Sequence, residues 1–297
     1  MMTVDKRNRV TADTQAKAGI LIEALPFLKN FGGKRLVIKV GGELLDNEEA
    51  SASFAQDLIL LKSVGIQIVL LHGGGPQISR AMEKLGKKPE FKNGLRVTDQ
   101  ETMKIMSMVL LGDLNRKLVS LLNVHGPKSV GLSGADGNLF SVEQESPELG
   151  FVGKLKNINT DLVIKTLENG YMPVIGSVGV DDEGQAYNIN VDLAAGNLAG
   201  ALGAEKLIVL SNVEGLYETF GDENSLIPEI KAKGLRKMKE SSSLTAGMIP
   251  KVDGILAALD GGVKRAHILD GRVEHAVLLE IFTPEGIGTM IFRDGSE

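Results

Sequence analysis

The chain has 297 residues, of which 43% are hydrophobic and 24% charged, and its formal net charge is −5. These values are typical of a globular protein with one large domain or two, and they argue against a surface built for nucleic acid. Because the chain has no cysteine, the sequence excludes disulfide bonds, a thiol nucleophile and a thiolate metal site.

The first residues lack an apolar run of signal-peptide length, and no apolar stretch is long enough to span a membrane. We therefore expect a cytosolic protein without a membrane partner. Residues 11–30 repeat apolar side chains at helical spacing, which predicts an amphipathic helix kinked at Pro26. That helix could cap its own domain, form a loose tail or exchange with a neighbouring subunit.

The first predicted strand is a short apolar, β-branched run that carries Lys39 and ends at Gly41 and Gly42. Such runs form buried strands in parallel sheets. Glycines at the carboxyl end of the strand let the backbone approach an anion, and we expect this anion to be a phosphate. Lys39 would then reach a transferring phosphoryl group. The alternative is an edge-strand lysine that extends into solvent.

A helix over 53–64 and a strand over 66–71 should follow, and the strand ends at His72 and a second glycine turn that includes Gly74 and Gly75. A helical pattern over 76–85 comes directly after this turn. Since helix N-termini bind anions through their free amide groups, two such turns on neighbouring strands would form one wall of a site.

Residues 91–99 predict a β-hairpin with Asn93-Gly94 at its turn, and the hairpin would present Arg96 to a carboxylate. A long helix over 101–124 should follow. Strands ending in glycine-rich turns are predicted near 128–137 and 173–179.

Asn188, Asn190 and Asp192 alternate and would share one face if they lay on a strand, although Asp192 could simply cap a helix. Small residues after Ala195 then predict a helical run to Leu202, and strand 206–211 and a helix around 230–243 should come next. Lys251 lies at a predicted loop-to-helix junction, and 263–269 and 289–292 should be the last strands. We divide the chain into an N-terminal extension (1–34) and two lobes (35–200 and 201–297).

The alternation of strands and helices predicts an α/β fold with a largely parallel sheet covered on both faces. Lysines, glycine turns and a carboxylate at the strand ends suit phosphoryl transfer, which depends on positioning and charge neutralisation. No Gly-Lys precedes Ser or Thr, no G-x-G-x-x-G is present, and the four histidines lack metal-ligand spacing. Any ATP site is therefore of another kind.

Five ordered motifs resemble the amino acid kinase family over the chain from near residue 35 to the C-terminus. They are Lys39-Val-Gly-Gly, His72-Gly-Gly-Gly-Pro, Gly94-Leu-Arg-Val-Thr-Asp, Asn188-x-Asn-x-Asp and Gly247-Met-Ile-Pro-Lys. The resemblance implies a three-layer sandwich with two lobes. It also implies transfer of the ATP γ-phosphoryl group to the side-chain carboxylate of N-acetyl-L-glutamate in arginine biosynthesis, with Mg²⁺ as cofactor. The earlier lobe would bind the amino acid and the later lobe ATP.

The resemblance also implies roles for particular residues. Lys39 and Lys251 would stabilise the transition state, and Asp192 would orient both lysines. The amides of four glycines would surround the phosphoryl group and substrate: Gly41, Gly42, Gly74 and Gly75. Arg96 and Asn188, with Asn190 as a weaker candidate, would hold the carboxylate and amide of N-acetylglutamate.

Two positions depart from the family pattern: Val191 replaces an expected smaller residue, and Ala135 replaces a lysine common among relatives.

The helix before the first strand resembles the extension of arginine-inhibited members, which links dimers into a hexamer, a trimer of dimers. We therefore expect arginine to inhibit at a site near that helix, with His267, Glu280 and Gly288 as candidates.

Two rival functions stay open at this stage. One is another kinase of the family acting on glutamate, aspartate, carbamate or UMP, against which Arg96 and the two asparagines argue. The other is a non-catalytic arginine sensor, against which the intact Lys39, Asp192 and Lys251 argue.

Overall fold

The computed structural model describes residues 31–126, 128–219, 221–241, 243–283 and 286–295, together with Ile22, Leu25, Pro26 and Lys29. Most of the predicted N-terminal helix therefore lies outside the described residues. The strands are β1 Arg35–Val40, β2 Gln67–His72, β3 Phe91–Lys92, β4 Leu95–Arg96, β5 Ser129–Ser133, β6 Phe140–Gln144, β7 Gly153–Ile158, β8 Met172–Gly176, β9 Val178–Val180, β10 Ala186–Asn188, β11 Lys206–Ser211, β12 Leu216–Tyr217, β13 Leu226–Ile227, β14 Glu229–Lys231, β15 Arg265–Asp270 and β16 Thr289–Phe292.

A π-helix, Met108–Asn115, joins two of the α-helices into one continuous rod. The α-helices are α1 Gly42–Leu45, α2 Glu48–Ser63, α3 Gly75–Lys84, α4 Gln100–Ser107, α5 Arg116–Asn123, α6 Asp161–Glu168, α7 Val191–Ala201, α8 Ala232–Glu240, α9 Ile249–Asp260 and α10 Ala276–Phe282. None of the helices in the described ranges is both long and apolar enough to cross a bilayer.

The main sheet has eight strands in the order β14-β16-β15-β11-β1-β2-β8-β5. All neighbouring pairs are parallel except β15 and β16. The predicted largely parallel α/β sheet is therefore confirmed. β1 is central, and Val40 is in register with His72 of β2, so the two glycine turns that follow these strands leave the same edge of the sheet side by side.

Alternation along β1 sends successive side chains to opposite faces of the sheet. Val37 packs with α7 and α9, which cover what we call the front face. Leu36 and Ile38 pack with α2, α5 and α10 on the back face. Because Lys39 is two residues after Val37, its side chain lies on the front face, toward α7 and α9.

A second, four-stranded sheet in the order β10-β9-β6-β7 was not predicted. Its strands are short, and β7 is half exposed, so the apolar run that marks a buried strand is missing. Helix α2 also begins earlier than the predicted residue 53, because the side chain of Asn47 accepts a hydrogen bond from the amide of Ala50 and caps it there. The short helix α10 was not predicted either.

In the main sheet, β5, β8, β2 and β1 come from the predicted 35–200 lobe and the other four strands from 201–297. The two lobes thus share one continuous sheet, joined where β1 pairs with β11. Their functional division stays a prediction.

Candidate functional site

A buried ion pair lies at the carboxyl end of β1. Lys39 is only 4% exposed and Asp192 8%, and Lys39 Nζ lies 2.8 Å from Asp192 Oδ1. Outside this ion pair, Asp192 Oδ1 has no hydrogen-bond partner among the described residues. The carboxylate therefore keeps the capacity to accept further hydrogen bonds.

The second lysine belongs to the same charged group. Lys251 is the third residue of α9, and its Nζ donates a hydrogen bond of 2.9 Å to the carbonyl of Gly247. Burial lowers the pKa of Lys251, the charge of Lys39 lowers it further, and Asp192 and Glu43 act in the opposite direction. The structure thus brings Lys39, Asp192 and Lys251 together from three distant segments of the chain.

Glycines explain why the helices that carry these groups can approach so closely. A Cβ on Gly254 of α9 would collide with the carbonyl of Asp192, and one on Gly196 of α7 would collide with the backbone of Gly254. Helices α7 and α9 therefore pack backbone against backbone. This close crossing places Lys251, one turn before Gly254, next to the start of α7.

The two predicted glycine turns each begin a helix. Gly41 caps α1, and Gly74 caps α3. The turns touch, since a Cβ on Gly42 would lie 3.0 Å from Gly74 Cα. The first amides of a helix have no partner within the helix, so both turns offer free donors near Lys39.

Gln77 of α3 links the two turns, a role that the sequence motifs did not assign. Its Nε2 donates to the carbonyl of Gly42 at 2.6 Å and to Asp46 at 2.9 Å. Its Oε1 is buried without a partner among the described residues, and it occupies the space that a Cβ on Gly42 would need. Gln77 follows the His72-Gly-Gly-Gly-Pro motif directly. Its position at the start of a predicted helix was the sequence feature that could have marked it as a site residue.

Arg96 lies behind the second glycine turn and is 7% exposed. It donates to the carbonyl of Gly75 at 3.0 Å and to Ser79 Oγ at 2.9 Å, and its guanidinium stacks over Phe91. No carboxylate of the described residues pairs with it, and burial lowers its pKa. A buried guanidinium without a counterion is suited to bind an anionic ligand.

The three alternating polar residues do not share a strand. Asn188 ends β10, and its Nδ2 donates to Thr98 Oγ1 at 3.2 Å, close to the hairpin of Arg96. Asn190 caps α7 instead, because its Oδ1 accepts from the amides of Asp192 and Leu193. Asp192 is therefore a helical residue, not a cap, and the expectation of one common strand face is wrong.

Val191, the unexpected residue before Asp192, packs against the second turn: its Cγ1 lies 3.2 Å from the position of a Cβ on Gly73. The other departure, Ala135, lies in the turn after β5, where the Asp136 side chain accepts from the amide and hydroxyl of Ser133. Neither position disturbs the pairing of Lys39 with Asp192.

The candidate regulatory residues lie together on the back face. His267 Nδ1 is 2.5 Å from Glu280 Oε1, and Glu280 Oε2 accepts from the amide of Ile287. The backbone of Gly288 packs against β15 next to them. Burial by itself would raise the pKa of Glu280, but the hydrogen bond and charge of His267 lower it.

A model of the amino acid kinase family matches residues 34–270. The chain belongs to this family. Its curated relatives include "Acetylglutamate kinase" of Thermoanaerobacter pseudethanolicus, 46% identical over 97% of each chain, and that of Methanocaldococcus jannaschii, 48% identical over 94% of this chain and 97% of the relative.

Solved structures agree with the fold. The N-acetylglutamate synthase of Neisseria gonorrhoeae, complexed with coenzyme A and N-acetyl-glutamate, gives a TM-score of 0.83 at 26% identity over 94% of this chain. The match covers 64% of that synthase. Carbamate kinase of Giardia lamblia bound to AMP-PNP gives 0.64 at 16% identity, over 88% of this chain and 99% of that one, and so supports the fold alone.

Proposed function

We infer that the chain is an enzyme that transfers the γ-phosphoryl group of ATP to the side-chain carboxylate of N-acetyl-L-glutamate, a step of arginine biosynthesis. The observation that carries this inference is the meeting of Lys39, Asp192 and Lys251 beside two helix-opening glycine turns. The nearly full-length similarity to acetylglutamate kinases supports the choice of substrate.

In the proposed reaction a carboxylate oxygen of N-acetylglutamate attacks the γ-phosphorus. A bond forms between that oxygen and phosphorus, the bond to the bridging oxygen of ADP breaks, and ADP leaves with the electron pair. In the transition state negative charge builds on the leaving oxygen and spreads over the three equatorial oxygens, so Lys39 and Lys251 would act mainly there. Asp192 would hold the Lys39 ammonium in place.

We place N-acetylglutamate on the side of Gly74, Gly75 and Arg96. There the guanidinium, which has no counterion among the described residues, would bind a carboxylate, and Asn188 would contact the acetamide. Gly41 and Gly42 would donate amides to the phosphates. The cap of α7 uses only Oδ1 of Asn190, so Asn190 would contact the substrate through the donors of its Nδ2.

We place ATP in the 201–297 lobe, where an apolar recess lined by Leu216, Leu244 and Met248 adjoins the start of α9. Among the described residues no three His, Asp or Glu side chains cluster into a metal site. We propose that Mg²⁺ arrives on the nucleotide phosphates, a mode of binding that takes only one or two protein carboxylates. Asp192 and Glu43 are the two carboxylates whose charges raise the pKa of Lys251.

We also propose that arginine inhibits the enzyme and that the N-terminal helix links dimers into a hexamer. Lys206, His267 and Glu280 form a buried cluster of ionisable groups on the back face, and Lys206 Nζ lies 5.1 Å from the ring centroid of Phe31, which shortly precedes β1. An effector bound there would lie between Phe31 and the C-terminal segment. A cytosolic location stays a prediction.

A coupled ADP-release assay tests the function by comparing N-acetylglutamate, glutamate, aspartate, carbamate and UMP. We expect turnover with N-acetylglutamate alone. Turnover with another acceptor would point to a different kinase of the family, and no turnover with any would favour the arginine sensor.

The regulatory proposal has its own test. Millimolar arginine should inhibit the wild type, and Glu280→Gln should weaken that inhibition without lowering the uninhibited rate. Full activity at millimolar arginine, or a dimer by light scattering at every concentration, would refute it.

A further inference from the structure

A chain of buried polar groups lies behind the second glycine turn, outside the charged site. His72, the last residue of β2, is 0% exposed, and Asn115, the last residue of the π-helix, is 6% exposed. His72 Nε2 lies 3.0 Å from Asn115 Nδ2, and His72 Nδ1 lies 3.1 Å from the carbonyl oxygen of Gly73. An amide nitrogen can only donate, so Nε2 is the acceptor and Nδ1 carries the hydrogen donated to Gly73.

Asn115 also connects β2 with two further strands of the main sheet. Its Nδ2 donates to the carbonyl of Val174 in β8 at 2.8 Å and lies 3.4 Å from that of Leu132 in β5. Its Oδ1 fills the space where a Cβ on Gly131 would lie. The side chain is thus tightly enclosed, and burial lowers the pKa of His72 to about 4, so the imidazole remains a neutral acceptor.

The π-helix sets the direction of Asn115. A π-helix is wound more widely than an α-helix, so different side chains share a face of the helix. Such segments are frequent at functional sites. Leu110 and Leu114 of this segment pack against the second glycine turn. A Cβ on Gly74 would collide with Leu114 and lie 2.9 Å from Leu110 Cδ2. The same segment therefore packs on the glycine turn and holds the histidine behind it.

We propose that Asn115 is a positioning residue for the acceptor side of the reaction. By fixing the tautomer of His72 it holds the Gly73 carbonyl, and so the Gly73–Gly75 turn, in one conformation. The inference rests on the proposed role of Gly74 and Gly75 in binding N-acetylglutamate.

Asn115→Leu tests the proposal, with Asn123→Leu as a matched control. Asn123 lies on the same helical rod and binds the backbone of Lys128 and Ser129 at the opposite end of β5. We expect Asn115→Leu to raise the KM for N-acetylglutamate about tenfold or more, while the KM for ATP stays within about twofold. Asn123→Leu should change neither KM. The proposal is overturned if both variants behave alike, or if Asn115→Leu changes the KM for ATP equally.

A second measurement needs no variant. Long-range ¹H–¹⁵N spectra of the wild type should show His72 as the neutral Nδ1–H tautomer throughout about pH 5 to 8. The opposite tautomer, or titration in that range, would overturn the proposal. If wild type fails to phosphorylate N-acetylglutamate, the proposed function fails. If it succeeds and the two asparagine variants match, only the present inference fails.

Discussion

The glycine crossing of α7 and α9 allows a sharp test of how the two lysines are brought together. A Cβ on Gly254 would lie 2.6 Å from the carbonyl carbon of Asp192 and 3.3 Å from the amide of Leu193. Carbon atoms in contact prefer about 3.5 Å, so Gly254→Ala requires α9 to move outward by roughly 1 Å. Lys251 is three residues earlier on the same helix face and would move with it.

A displacement of about 1 Å at a reacting centre lowers a rate by roughly 100-fold, which corresponds to about 2.7 kcal/mol of activation free energy. The added methyl should cost about 1–3 kcal/mol of stability through overpacking. The better helix propensity of alanine offsets about 1 kcal/mol of this. We therefore expect a folded enzyme, up to about 2 kcal/mol less stable, whose kcat is about 100-fold lower.

The assay is ADP release at saturating substrates, with the free energy of unfolding measured by urea denaturation. Gly112→Ala is the matched control, since Gly112 is an exposed helical glycine with nothing within 4 Å of an added Cβ. The control should keep its kcat and be unchanged or slightly more stable. A folded Gly254→Ala enzyme with the kcat of wild type would show that the crossing does not position Lys251.

Three further predictions follow from the site. Lys39→Ala and Lys251→Ala should each lower kcat by several orders of magnitude in folded protein. Lys165→Ala, which removes an exposed lysine, is the control and should keep its kcat. A kcat near that of wild type in either site variant would contradict the proposed transition-state role. Arg96→Ala should raise the KM for N-acetylglutamate by about 10- to 100-fold, because a charged hydrogen-bond donor is lost, and an unchanged KM would make the substrate assignment wrong. His72 has its pKa lowered by burial from 6.5 to about 4, so between these values the unfolded chain binds a proton that the folded chain does not. Its contribution should therefore lower the free energy of unfolding as pH falls through this window, by up to about 3 kcal/mol, and NMR titration of His72 in the folded protein checks the cause.

The sequence by itself predicted the α/β class, most of the main-sheet strands, the hairpin turn and both glycine turns. These features have local causes. A buried parallel strand needs an unbroken apolar run, and Asn93 and Gly94 both adopt the positive φ that a tight hairpin turn requires. The five motifs also placed the chain in its family, because residues that must contact one substrate recur in the same order.

Only the tertiary structure decided which of these residues meet. Sequence spacing could not place Lys251 beside Lys39. Their approach depends on Gly196 and Gly254, because only residues without a side chain let the two helices cross this closely. Sequence spacing also could not assign different roles to Asn188 and Asn190. The start of α7, which is fixed by packing on the sheet, makes Asn190 a helix cap, whereas Asn188 lies near the hairpin of Arg96. The local pattern specifies the strands and turns, and long-range packing specifies the site.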